Sequence, residues 1–377
     1  METKSLTLAV VGAGSAAVKD AALLAGSAVV LCCGTDTLPA GAEAAALADA
    51  CARADYILIN SPVPYDAAEK KADTSRLDAD IQAVLAVGTG AMLVIRSVVP
   101  VGYTKGLREK LGLSNVIVCP FAGNRDCIVA GAPAYDSDMT AAARRFGELL
   151  AAAQGGSVPV QVVGYGEAEA ARLYIQTYLA MRTAFFNELD TFADKKGLNA
   201  RQIINAVCAD GRIGQGYNDP GFGYTCLSPQ KLMADYEGLP QQLISAVVKA
   251  NRTRKNFSAE RILEKGGYYL SDAGGCGYVA GNAVTAGIYK VTELLESGST
   301  SREVLLQVME RMAAKGAEVI VYDPALENGS RWESAEVVND LSLFKARSDV
   351  ILSVRYCEDL NDSIGKVYIR DLHALED

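Results

Sequence analysis

Gly12, Gly14 and Ala17, in the run LTLAVVGAGSAA, have the spacing at which a chain turns tightly and lets a diphosphate approach its backbone. Gly12 permits the turn, Gly14 the close approach, and Ala17 the packing of the next helix on its strand. The helix N-terminus adds amide donors and partial positive charge. The same pattern also fits a tight strand-to-helix turn that binds nothing, so the following strand matters. A dinucleotide site needs an acidic residue at its end to hold ribose hydroxyls, whereas VVLCC ends in Cys33 followed by Gly34. Asp36 is the next carboxylate and serves only if its loop folds back. Two more segments follow apolar runs: INSPVPYD with Ser61 and Pro62, and RSVVPVGYT with Ser97. Loops of this kind face a ligand crevice, or are simply proline-bearing turns.

Nine cysteines and one histidine bound the remaining chemistry. The cysteines are scattered, odd in number and form no CxxC pair, so most read as reduced, small core residues. His373 stands alone near the C-terminus, which leaves no His-based triad or zinc site, and no metal is expected. A net charge of −9 argues against a nucleic-acid partner or an anionic membrane surface. No apolar run approaches the roughly 20 residues of a bilayer-spanning helix. The opening METKSLT lacks the plan of a signal peptide, so a cytoplasmic protein is expected.

These residues need elements to position them. LTLAVVG, VVLCC, YILIN, MLVIRS and NVIVCP are short apolar runs separated by helical patterns such as LDADIQAVLAV. That alternation predicts a doubly wound parallel sheet over residues 1–164. From Glu167 a long helical pattern runs to Gly197, a helix-ending glycine, and helical segments continue to about 265. They are interrupted by the turn-rich DGRIGQGYNDPGFGYTC. The section 165–265 reads as a central all-helical domain. Helix 167–196 shows Leu173, Tyr174, Leu179, Met181 and Phe185, more apolar surface than one domain contact needs, and predicts a homodimer. The glycine-rich stretch 266–284 reads as a loop or distorted strand. A second βαβ region follows, with AGIYKV, EVIVYDP, DVILSV and KVYIRD as strands. The fold class is therefore α/β: two Rossmann-like parallel-sheet domains, 1–164 and 266–377, joined by the helical 165–265.

The helix EAEAARLYIQTYLAMRTAFFNELDTFAD and the later loop RIGQGYNDPGFGYTC together resemble the UDP-glucose 6-dehydrogenase family. That family has a helix of the type EAAKLxxNTYLALRxxxFNELDTYAE and a loop of the type RIGxxYNNPSFGYGGxCLPKD. GAGSAAV, SPVPYD, RSVVPVGYT, SAVVKANRTRK, ESGSTSR, VIVYDP and VVNDL continue the similarity in order over nearly the whole chain.

The resemblance implies a double oxidation of a UDP-sugar 6-hydroxyl with NAD⁺, in which a cysteine holds the substrate first as thiohemiacetal and then as thioester. Cys226 matches that nucleophile and precedes a predicted helix, the alternative being one more buried thiol. Tyr217, Asn218, Phe222 and Gly223 match the loop around the sugar nucleotide. Arg212 matches an arginine that reaches a neighbouring subunit's ligand, and Arg302 one in a phosphate-binding turn; a surface ion pair is the plainer reading of each. The supporting residues depart from the pattern. Arg172 stands for the family's lysine and keeps charge but not acid–base capacity, and Gln176 stands for asparagine with one methylene more. Ser228-Pro229-Gln230 takes the place of Lys-Asp, and Val98 that of a water-binding threonine. The glutamate-bearing stretch after Cys119-Pro120 is missing. Losses of groups that act as a unit compound. Three readings follow: a catalytically impaired UDP-glucose-type dehydrogenase, a non-catalytic UDP-sugar-binding or regulatory dimer partner, or altered chemistry in which Cys226 forms an adduct without NAD⁺.

Overall fold

The computed structural model describes residues 6–35, 37–120, 127–156, 158–224, 226–236, 239–271, 278–280, 282–296, 301–353 and 357–369. Asp36, His373 and Cys276 lie outside these residues, as does part of the glycine-rich stretch. Contacts divide the chain into two compact units, 1–177 with 227–244, and 178–226 with 245–377.

The first unit is built on eight strands: β1 (Thr7–Val11), β2 (Val29–Cys33), β3 (Ala42–Ala44), β4 (Tyr56–Ile59), β5 (Met92–Ile95), β6 (Val116–Val118), β7 (Ile128–Gly131) and β8 (Val160–Val163). They lie in the order β8-β7-β6-β5-β4-β1-β2-β3. Strands 3-2-1-4-5-6 are parallel, the order of a dinucleotide-binding sheet. β7 then pairs antiparallel to β6, and β8 parallel to β7. Because both faces are covered, the central strands are apolar throughout rather than alternating, and Leu8, Ala9 and Val10 are fully buried. β3 and β7 escape a sequence reading: AEA is a short, half-polar edge, and IVAG is only four residues long and ends in glycine.

The helices used below are α1 (Ser15–Leu24), α2 (Tyr103–Leu111), α3 (Ser137–Ala153), α4 (Tyr165–Lys196), α5 (Ala200–Cys208), α6 (Ser228–Asp235), α7 (Leu243–Lys265) and α8 (Arg302–Ala314). α4 ends as its glycine predicts. Gly197 takes φ 65°, and the Leu198 and Gly197 amides donate to the carbonyls of Ala193 and Asp194, satisfying the last turn. Among the described residues no helix is long and apolar enough to cross a membrane.

The second unit holds the remainder of α4, then α5, α7 and α8, and a second sheet. Its strands are β9 (Thr285–Tyr289), β10 (Glu318–Tyr322), β11 (Arg331–Trp332), β12 (Ala335–Val337), β13 (Val350–Ser353) and β14 (Val367–Ile369). They run β11-β12-β10-β9-β13-β14, all parallel except the β11–β12 hairpin. Within the glycine-rich stretch, 269–271 and 278–280 pair as antiparallel strands. The α/β class with two parallel sheets and a helical middle is the architecture the alternation of runs predicts.

One buried polar cluster crosses the first unit. Asp20 of α1 is fully buried and takes two bonds from Arg96 at the end of β5, at 2.6 and 3.0 Å. Asn60, after β4, donates to the same carboxylate at 2.7 Å, and Arg96 donates to the Cys119 carbonyl at 2.5 Å. Removing one member leaves a charge stranded in the core. Asp20→Ala is expected to cost about 3–5 kcal/mol, and the double change Asp20→Leu, Arg96→Met to recover most of that, as measured by urea unfolding.

Candidate functional site

The strand ends of the first unit gather most of the cofactor candidates. Gly12 adopts φ 137°, and a Cβ there would sit 2.4 Å from the Asn60 carbonyl oxygen, so only glycine allows β1 and β4 to part this way. Gly14, at φ 91°, is the N-cap of α1 and faces Pro62. Ala17 is fully buried under α1. Ser97 ties the two neighbouring loops together: its hydroxyl accepts from the Ser61 amide at 2.9 Å and donates to the Ser61 carbonyl at 2.8 Å. The Ser61 hydroxyl donates to Asp80 at 2.6 Å. Gly12, Gly14, Ala17, Ser61, Pro62 and Ser97 thus meet at one sheet edge, with both serines holding the loops in place.

The residues that could hold a dinucleotide diphosphate are those of the Gly12–Gly14 turn at the start of α1, where Gly12 is buried and its amide donates to the Cys33 carbonyl at 3.3 Å. A dinucleotide does not fit equally at the ribose. Cys33 is buried, and burial foremost, with Cys51, Cys32 and Asp49 nearby, pushes its thiol up to about 11. A neutral thiol offers one weak donor where a carboxylate offers two acceptors. Asp36, the sequence alternative, lies outside the described residues.

Farther along the same edge, the 97–104 loop packs on α4 and α6. Glu169 of α4 caps α2, accepting from the amides of Gly102 and Thr104 at 2.6 and 2.8 Å. Burial pushes its carboxyl up, against the pull of those hydrogen bonds. Arg172 and Gln176 follow one turn apart on α4. Leu173, between them, is fully buried with Leu232 and Ile244, and Val98, Met233 and Tyr236 pack around that cluster. Leu173 therefore leaves the exposed apolar face assigned to it from sequence. That face consists instead of Tyr174, Ile175, Tyr178, Phe185 and Phe192, between 39 and 56% exposed.

Ser228, Pro229 and Gln230 form the first turn of α6, with proline at a position where its missing N–H costs nothing. Lys231 comes next, buried, its Nζ donating to the Val98 carbonyl at 3.3 Å. Sequence reasoning overlooked this lysine. Its one signal is its place directly before Leu232 and Met233, the apolar pair of a short helix.

In the second unit the loop 209–224 is held by side chains of α4 and α7. Arg182 of α4 donates to the carbonyls of Ile213, Gly214 and Gly216 at 2.9 to 3.2 Å. Tyr217 follows with φ 54° and is 59% exposed. Asn218 turns inward, accepting from the Gly216 amide and donating to Gln215. Gly221 is bracketed by Asn187, which accepts from its amide at 2.9 Å, and Arg254, which donates to its carbonyl at 2.7 Å. Arg254 is buried and paired with Asp190 at 2.6 Å. Phe222 is buried in the apolar core cluster of this unit, which also holds Val304 and Leu305, so it anchors the loop. Gly223, at φ 137°, lies against Asn251 and Lys255. Asn251 clamps Tyr224, accepting from its amide and donating to its carbonyl, both at 2.9 Å.

Cys226, half-buried, stands directly before Leu227, the N-cap of α6. Arg212 is 90% exposed and paired with Asp210, and Arg302 pairs with Glu333 over the Trp332 ring. Both arginines thus occupy the surface ion pairs that were the plainer reading of the sequence. Asn187, Asp190, Asn251 and Arg254 were visible only as parts of FNELDT and KANRTRK; their roles needed the two helices side by side.

The Asn251 clamp predicts a local effect. Asn251→Ala is expected to cost about 1–3 kcal/mol, and to speed hydrogen exchange at the amides of 221–224 while leaving those of β1 and β4 unchanged.

The central-domain signature of the UDP-glucose/GDP-mannose dehydrogenase family matches residues 166–253. A UDP-glucose 6-dehydrogenase of Streptococcus pneumoniae is 35% identical over 340 residues, covering 85% of this chain and 81% of that one. One from Campylobacter jejuni subsp. jejuni is 30% identical over 335 residues, covering 85% and 80%. In three dimensions the chain is similar to a UDP-glucose dehydrogenase from Pyrobaculum islandicum, with a TM-score of 0.72 at 19% identity, covering 93% of this chain and 90% of that one. The identity to the curated relatives, their coverage and the shared fold agree on one conclusion: the chain belongs to the UDP-glucose/GDP-mannose dehydrogenase family.

Proposed function

We propose that this chain binds a UDP-sugar and oxidises it through Cys226 with NAD⁺, at a rate far below that of an intact family site. The observation that carries the reading is the pair Arg172 and Gln176, one turn apart on α4 where the family pattern has lysine and asparagine. Where the family has groups that orient water and take its proton, this chain has a guanidinium and an amide one methylene longer. Cys226 keeps the nucleophile, and its sulfur would bond to the aldehyde carbon of the half-oxidised sugar. NAD⁺, when bound, supplies the hydride acceptor. Arg172 can hold a developing oxyanion by its charge, but a guanidinium does not give up a proton near neutral pH. The thioester step then lacks a base to activate water, a loss typically worth ~10²–10⁴-fold.

NADH formation from UDP-glucose is therefore expected to run at least ~100-fold below intact relatives, and to vanish in Cys226→Ala while UDP binding by calorimetry persists. Arg172→Lys with Gln176→Asn is expected to raise turnover; unchanged NADH formation in that double variant would remove the basis for an impaired enzyme.

The buried, neutral Cys33 favours a second reading, a UDP-sugar-binding or regulatory partner without turnover. UDP binding with no NAD⁺ binding in calorimetry supports it, and NAD⁺ binding counts against it. The exposed Tyr174, Ile175, Tyr178, Phe185 and Phe192 on α4 support a homodimer through that helix, because isolated chains seldom leave such a stripe in water. Sedimentation is expected to give twice the chain mass, and Phe185→Glu with Phe192→Glu to give the monomer.

A further inference from the structure

Arg254 and Lys255 are neighbours on α7 and are about equally buried, at 3 and 7% exposed. They face different surroundings. Arg254 has its carboxylate, Asp190, at 2.6 Å. Lys255 has none: its Nζ donates to Gln307 Oε1 of α8 at 2.8 Å, and no carboxylate among the described residues pairs with it. Arg311, one turn farther along α8, converges on the same place. Its Nη1 donates to the Gln307 carbonyl at 2.6 Å and its Nε to Asn256 Oδ1 of α7 at 2.7 Å. Arg311 likewise forms no ion pair among the described residues. Nearby carboxylates are engaged elsewhere or turned outward: Glu260 pairs with Lys315, and Glu303 and Glu310 are exposed. Two cations thus share one glutamine, one of them buried, with no anion between them.

We propose that Lys255 and Arg311 form a binding site for an oxyanion, a phosphoryl or carboxylate group, on the face between α7 and α8. A buried ammonium without a counter-charge is costly, and charge-assisted bonds from two cations to one oxyanion offset that cost. Burial, with Arg311 adding to it, draws the Lys255 ammonium down to about 8, the direction a missing anion produces. The site also touches the 221–224 loop, because the Lys255 stem lies where a Cβ on Gly223 would fall, 2.9 Å from its Cε. An anion that fixes Lys255 therefore stiffens that loop. Arg302, at the opposite end of α8 and paired with Glu333, takes no part.

The site is independent of turnover and of NAD⁺, so it is tested by stability. Sodium phosphate is expected to raise Tm with concentration, beyond sodium chloride of equal ionic strength. Arg311→Gln and Lys255→Met are each expected to weaken the apparent phosphate affinity about 10-fold, and Lys255→Arg to retain it. If UDP shows the same dependence on both residues, the oxyanion is a nucleotide phosphate; if only inorganic phosphate does, it is a free anion. Should Lys255→Met fail to fold, Arg311→Gln alone carries the test, since its side chain is only half-buried. An equal phosphate response in the wild type and Arg311→Gln would overturn the proposal and leave Lys255 held by Gln307.

Discussion

The first unit depends on a single buried ion pair. Asp20 on α1 and Arg96 after β5 are both removed from water, and Asn60 and the Cys119 carbonyl complete their hydrogen bonds. The pair joins four pieces of chain that are far apart in sequence: the helix after the glycine turn and the ends of β4, β5 and β6. Charges in a core of this kind tolerate little misplacement, because the loss of one partner strands the other. The strand ends are consequently fixed in register, and with them the Gly12 turn, the Ser61–Ser97 link and the entry to the 97–104 loop.

The loop 209–224 follows a different logic. Its backbone carries several positive φ angles, at Gly214, Gly216, Tyr217 and Gly223, and cannot be held by regular pairing. Side chains do the holding: Arg182, Asn187, Asn251 and Arg254 satisfy its carbonyls and amides one by one. Each of those side chains projects from a long helix, so the precision of the loop comes from the rigidity of α4 and α7. The buried Phe222 ring supplies the apolar anchor.

Arg172 and Gln176 stand on α4 where the family pattern has lysine and asparagine, and Val98, which packs with Leu173, stands where it has threonine. Binding geometry is maintained by many partly redundant contacts and survives substitution. Proton transfer depends on a few groups at fixed distances and fails when any of them is replaced.

The sequence by itself determined the order of the apolar strands and long helices, β3 and β7 aside, the Gly12 and Gly197 turns, and the kinship carried by the central helix and its loop. These are local properties: apolar periodicity, glycine's conformational freedom, and a run of identities in order. It misread the face of α4, where Leu173 looked as available as Tyr174, because periodicity does not say which side a second helix covers. It gave no sign that Lys231 would reach the Val98 carbonyl, or that Lys255 would lack the counter-charge its neighbour Arg254 has. Those facts were decided by tertiary structure alone, because burial and pairing are set by residues brought together from more than 50 positions away, such as Gln307 and Lys255.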